Sequence, residues 1–222
     1  MRRIFYENGL SIAFFVLFAL SLAGQSLTGH KQYNDGQQKQ TQPAVGFAEY
    51  LTSGHFIEAT FENWESEFLQ MAAYVVLTAF LFQKGSSESK APGTLVPVDR
   101  RLLPEDVPPD APWPVRRGGW ALTLYENSLS IAFVILFALS FYLHAVGGAE
   151  EYNQDLSEHG GAGEPLTAFG YMATSRFWFE SFQNWQSEFL SVLAMVVLSI
   201  FLRQRASPES KPVFAPHSDT ER

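Results

Sequence analysis

The sequence predicts an all-α membrane protein: four transmembrane helices paired as two parallel helical-hairpin repeats, with interfacial helical segments in the outer loops. Three observations predict it. Apolar residues fall in long uncharged blocks, Leu10 to Leu27 and Leu129 to Ala149, with two further blocks at Phe68 to Phe82 and Phe189 to Leu202 that reach membrane length when Trp64 and Trp185 mark their interfacial ends. The phrase YENGLSIAFFVLFALS at Tyr6 recurs as YENSLSIAFVILFALS at Tyr125. Lysine and arginine avoid the segments between paired blocks.

The first block predicts a span over about 9–28. A run of basic Arg2 and Arg3, apolar residues and Ser21-Leu22-Ala23 also fits a cleaved signal. Against that, the run is longer than the ~7 to 15 residues of a signal core, and the same phrase recurs at Tyr125, where no signal sits. The second block predicts a span over about 64–83, completing a first membrane repeat of 1–90. A linker at 91–119 follows; the stretch from Gly85 to Gly119 holds seven of the twelve prolines, including VPPDAPWPVRRGG, and reads as an extended tether. The second repeat, 120–211, has spans at about 128–147 and 185–203, and 212–222 is a polar tail. FENWESEFLQMAAYVVLTAFLFQKGSSESK from Phe61 aligns without a gap with FQNWQSEFLSVLAMVVLSIFLRQRASPESK from Phe182. Two spans per copy make the copies parallel, related by an axis along the membrane normal.

Only Lys31, Lys39 and Arg176 lie in residues 28–67 and 144–188, against thirteen aspartates and glutamates. The other twelve basic residues lie at the N-terminus, in the linker and in the tail. Both termini and the linker are therefore expected in the cytoplasm. Zero cysteines exclude disulfides, thiolate metal sites and c-type haem attachment. Mean hydropathy of −0.03 is low because polar loops dilute the apolar blocks.

Helical spacing puts Glu7, Ser11, Phe18, Ser21 and Gln25 on one face, matched by Glu126, Ser130, Phe137, Ser140 and His144. A second stripe, Glu67, Gln70, Tyr74 and Thr78, is matched by Glu188, Ser191, Met195 and Ser199. Such stripes either pack helices together or line a polar passage. No ionisable residue falls at mid-span, which disfavours a proton-coupled pump. Glu67 and Glu188 are candidates for a cation-attracting outer mouth, and Glu7 and Glu126 for an inner one. The simpler reading places all four at helix N-termini, where the macrodipole favours a carboxylate. In the repeated F-x-N-W-x-S-E-F-L motif, Asn63, Trp64, Asn184 and Trp185 are interfacial anchors, and Thr60 and Ser181 candidate helix caps. The aromatic segments GFAEYLTSGHFIEATF and AFGYMATSRFWFESF read as interfacial or partly re-entrant, and Gly147-Gly148 and Gly160-Gly161 as flexible loop.

His30, His55, His144 and His159 form no metal-ligand spacing, so no metal is expected, and no cofactor. There is no phosphate loop, no nucleophile elbow and no basic aromatic groove for nucleic acid. The doubled YENxLSIAFxxLFALS and NWxSEFL pattern resembles a family of small bacterial multi-pass integral membrane proteins, an internally duplicated domain of unknown function. That resemblance implies a location in the bacterial cytoplasmic membrane and transfers no site residue. The expectation is a non-enzymatic protein whose partners are the lipid bilayer and either a second copy of the chain or another membrane protein. Its work is either that of a small channel or transporter or that of a scaffold or accessory subunit.

Overall fold

The computed structural model describes residues 2–39, 41–91, 93, 97–99, 107–159 and 163–220, and all regular structure among them is helical. In chain order these are α1 (Arg2–Glu7), α2 (Gly9–Lys39), α3 (Phe47–Tyr50), α4 (Gly54–Phe80), a 3-10 turn at Pro97–Asp99, α5 (Trp113–Arg117), α6 (Gly119–Glu126), α7 (Ser128–His159), α8 (Ala168–Met172) and α9 (Ser175–Phe201). Of the linker, residues 92, 94–96 and 100–106, with Arg100 and Arg101, lie outside the described residues, as do Gly160, Gly161 and Arg222.

Three of these helices, α2, α7 and α9, are long and apolar enough to cross a membrane, where four spans were expected. Little of their apolar windows is buried. Phe15, Leu129 and Ile135 are exposed, and hydrocarbon rather than water suits such a surface. Length and composition thus fit a membrane-embedded helical protein. The fourth helix, α4, does not qualify, for a physical reason. Glu58, Glu62, Glu65 and Glu67 crowd its first half, and only residues 68–80 are both helical and uncharged. Thirteen residues at ~1.5 Å each rise ~20 Å, short of the ~30 Å hydrocarbon core. In α9, residues 181–201 carry the single charge of Glu188.

The chain divides into two compact units. The first joins residues up to Phe61 with Leu143–Thr174. Its core is a close helix crossing: a Cβ on Gly147 of α7 would strike the backbone nitrogen of Glu58 on α4, and one on Gly54 would lie 2.6 Å from the backbone nitrogen of Glu151. Gly147 and Gly148 are therefore packing positions inside a helix, not the flexible loop expected. Gly148 gives way to the buried Tyr171, and Gly29 to the buried Tyr50. Two asparagines staple the returning chain. Asn34 accepts from the Val45 amide at 2.8 Å and donates to its carbonyl at 3.1 Å, and Asn153 does the same for Leu166 at 2.7 and 2.9 Å.

The second unit joins Glu62–Tyr142 with the chain from Ser175 onward. An aromatic ladder runs Phe137, Trp185, Phe182 and Trp178, with edge-to-face contacts of 6.2 Å and 5.4 Å at Trp185. Residues just after α4, expected to be tether, are instead buried: the Gly85 amide donates to Thr220 Oγ1, Ser86 and Ser199 share a hydroxyl contact of 3.0 Å, and the Ser87 hydroxyl donates to the Glu209 carbonyl. Lys211 is nearly enclosed and donates to the carbonyls of Pro216, His217 and Asp219, its ammonium pushed below the usual lysine range by burial and then by Arg203. The proline segment is also not wholly extended. Pro112 caps α5, with Pro114 in its first turn where a missing N–H costs nothing. Gly118 then turns the chain at φ 67°, and the Arg117 guanidinium lies over both the Trp113 and the Trp120 ring, at 5.5 and 5.8 Å from their centroids.

Candidate functional site

Glu7 ends α1 and pairs with Arg3 at 2.7 Å, both side chains solvent-exposed. Glu126 likewise ends α6. Glu67 and Glu188 each stand thirteen residues into their helices, α4 and α9, so neither gains from a helix N-terminus, whose influence fades within the first turn. The expected macrodipole explanation fails for this pair because both helices start about ten residues upstream of the predicted spans. In the second unit Glu67 and Glu188 come within reach of each other's charge. The segments expected to be interfacial or partly re-entrant form α3, α8 and the opening turns of α4 and α9.

The early helix starts also relocate the motif residues. Thr60 and Ser181 lie inside α4 and α9 rather than capping them; Thr60 accepts from Gln25 Nε2 at 3.2 Å. Asn63 and Trp64 sit within α4, and Asn184 and Trp185 within α9. Trp185 Nε1 donates to Glu65 Oε1 at 3.1 Å, and Asn184 Nδ2 donates to Glu62. Two of the four α4 carboxylates, Glu62 and Glu65, thus accept from α9. Further along, Gln70 Nε2 donates both to the Glu188 carbonyl at 2.9 Å and to Ser191 Oγ at 2.8 Å. Tyr74 donates to the buried Glu88 carboxylate.

On the first stripe the outcome is uneven. Ser11 and Ser21 of α2 are exposed, Gln25 is half-buried and bonded, and Ser130 of α7 is half-buried. Ser140 and His144 are fully buried. His144 places a ring nitrogen within 4.8 Å of a carboxylate oxygen of buried Glu58, whose Oε1 also accepts from the Tyr171 hydroxyl at 3.0 Å. Sequence reading missed this polar cluster: Glu58 lies before the predicted span and outside both stripes.

A second feature escaped it too. In the first unit a cavity of about 160 Å³ opens between α2, α4 and α7, bounded by Tyr33, Gln37, His55, Glu151, Asp155 and Glu158. The three carboxylates recur at spacings of four and three along α7, one helical face. The Tyr33 ring meets those of Tyr50 and His55 at a tilt, with centroids 5.7 and 5.4 Å apart, and His30 contacts Phe47 edge-to-face and Tyr50 at a tilt. Burial lowers the His55 pKa below the ordinary imidazole value, and raises that of Tyr50, helped by the charge of Glu151. The second unit holds a larger cavity, about 390 Å³, walled mainly by apolar residues such as Leu77, Leu81, Phe189 and Val196.

The chain belongs to the family DUF6766, a domain of unknown function, whose profile matches residues 1–222. No curated protein and no solved structure matches it.

Proposed function

We propose that this member of DUF6766 is a non-catalytic scaffold or accessory protein of the bacterial cytoplasmic membrane, built from two duplicated helical hairpins. The observation that carries this reading is the fate of the polar stripes. Gln25 is spent on Thr60, and Gln70 on Ser191 and the Glu188 carbonyl, so the two glutamines of the stripes hold helices to one another. Lengths support the duplication: α2, α3 and α4 run 31, 4 and 27 residues, and α7, α8 and α9 run 32, 5 and 27. Helix α4 crosses the bilayer in this reading, because Glu62 and Glu65 are bonded to α9 side chains instead of facing lipid. That crossing returns both termini to the side of the basic linker.

A channel is the second reading, favoured by one observation, the proximity of the Glu67 and Glu188 charges. Ion flux into proteoliposomes separates the two. The scaffold reading expects wild-type protein to pass no more Na⁺, K⁺ or Ca²⁺ than empty liposomes. Flux above that baseline that drops in the Glu67→Gln/Glu188→Gln double variant would establish the channel instead.

A further inference from the structure

The cavity bounded by α2, α4 and α7 has a polar balance that packing does not explain. We infer that it binds a short-chain organic ammonium ion. Gln37 is 93 % buried, its relative exposure being 7 %, and it borders the cavity. Its Nε2 donates to the Tyr33 hydroxyl at 3.0 Å, while its Oε1, also buried, finds no hydrogen-bond partner among the described residues. A buried acceptor left unmade costs about 1–3 kcal/mol, so a donor belongs beside it. The Tyr33 oxygen does not ask for that donor, since it already accepts from Gln37 and from Gln154 Nε2 at 2.6 Å.

The rest of the wall fixes the sign of the ligand. Glu151, Asp155 and Glu158 contribute three carboxylates, and among the described residues no lysine or arginine lines the cavity. Glu158 also accepts from Gln154 at 2.8 Å. An acceptor-rich, acidic cavity takes a cation carrying several N–H donors, and a primary ammonium offers three. A directly ligated metal fits less well. No three of these carboxylates and His55 bring their donor atoms within 4.8 Å of one another, whereas Ca²⁺ needs six to eight oxygens at ~2.3–2.6 Å. The tyrosine and imidazole rings supply what an ammonium on a carbon stem uses, an aromatic face for the charge and apolar surface for the methylenes. The space, about 160 Å³, is roughly ten times what a single water needs. This site goes beyond the scaffold reading and does not depend on it.

The test is calorimetric titration of the full chain in lipid nanodiscs with n-butylammonium and with butane-1,4-diammonium, against CaCl₂ and NaCl. Saturable one-to-one binding of either amine is expected, weakened at least tenfold by Gln37→Leu and by Asp155→Asn. Asp155 is exposed, so its variant tests charge with little risk to the fold; should Gln37→Leu fail to fold, Asp155→Asn alone decides between the outcomes. The inference is overturned if neither amine binds, if the folded variants bind as wild type does, or if CaCl₂ binds and the amines do not.

Discussion

At the scale of single residues, the repeated Tyr-Asn pairs show how a short sequence echo becomes structure. Asn34 and Asn153 use both ends of their amides on the N–H and C=O of a single residue, a grip that asparagine's paired donor and acceptor provide at this reach. Replacing Asn153 by alanine strands an N–H and a C=O, whereas Asn34→Ala strands the Val45 N–H alone, because the Val45 carbonyl keeps His30 Nε2 at 2.9 Å; each is expected to cost about 1–3 kcal/mol in unfolding titrations in mild detergent, Asn153→Ala the more, and Asn→Asp, which keeps the acceptor and loses the donor, should cost less. His55 gives a pH prediction. Burial holds its pKa below the unfolded value, so at neutral pH both states are uncharged and nothing is lost. Below pH ~6.5 the unfolded chain takes up a proton that the folded one resists, and stability falls with falling pH. The groups around it are Tyr33 and Tyr50, whose rings touch it, and the cavity carboxylates Glu151, Asp155 and Glu158. Because the ring is only half-buried, the expected loss between pH 7 and 5.5 is under about 1 kcal/mol, and a His55→Gln variant should lose that much less over the same range.

At the scale of elements, the α4–α7 crossing in the first unit depends on two glycines with no room for a methyl group. A Cβ at Gly147 meets backbone, which cannot swing aside, so Gly147→Ala is expected to destabilise by about 1–3 kcal/mol although alanine is the better helix former by ~1 kcal/mol. At Gly24, where a Cβ meets nothing within 4 Å, the same substitution should be neutral or mildly stabilising, and paired melting curves of the two variants check the contrast. What was legible in the sequence follows the same physics. Helices α2 and α7 were legible because long uncharged runs have one low-energy fate in lipid. The starts of α4 and α9 were not, because Trp64 and Trp185 read as the interfacial ends of spans, whereas both helices begin about ten residues earlier, and the bonds from α9 to Glu62 and Glu65 are tertiary contacts that no local pattern encodes. The glycines misled for a related reason: a Gly-Gly pair looks like loop until the partner backbone against it is known. Of the candidate sites, the polar stripes were visible as periodicity, whereas the α2–α4–α7 cavity unites residues 32 and 158, which only tertiary folding brings together.

At the scale of the whole molecule, the open step is how many times the chain crosses the bilayer, and the physics of α4 decides it. Hydropathy counts each carboxylate as if it entered lipid bare, and on that count α4 stays out and the crossings number three. The hydrogen bonds of α4 favour the proposed count of four. Glu62 and Glu65 are bonded to Asn184 and Trp185, and Gln70 to Ser191, so much of the polar load of α4 is met by α9 before lipid is reached. The basic linker, with Lys84, Lys90, Arg116 and Arg117, pulls in the same direction by resisting translocation. The two counts predict opposite labelling patterns, and the absence of native cysteine makes them readable. With four crossings, single cysteines at Glu49 and Glu164 react with a membrane-impermeant maleimide on intact cells, whereas those at Asp110 and Ser207 react only after permeabilisation. With three, Asp110 labels together with Glu49, Glu164 falls silent and Ser207 becomes accessible. The packed arrangement of α4 and α9 predicts the first pattern. It further predicts that removing the bonds that carry α4, in an Asn184→Leu/Trp185→Phe background, shifts part of the population toward the second, seen as partial labelling at Asp110 from outside.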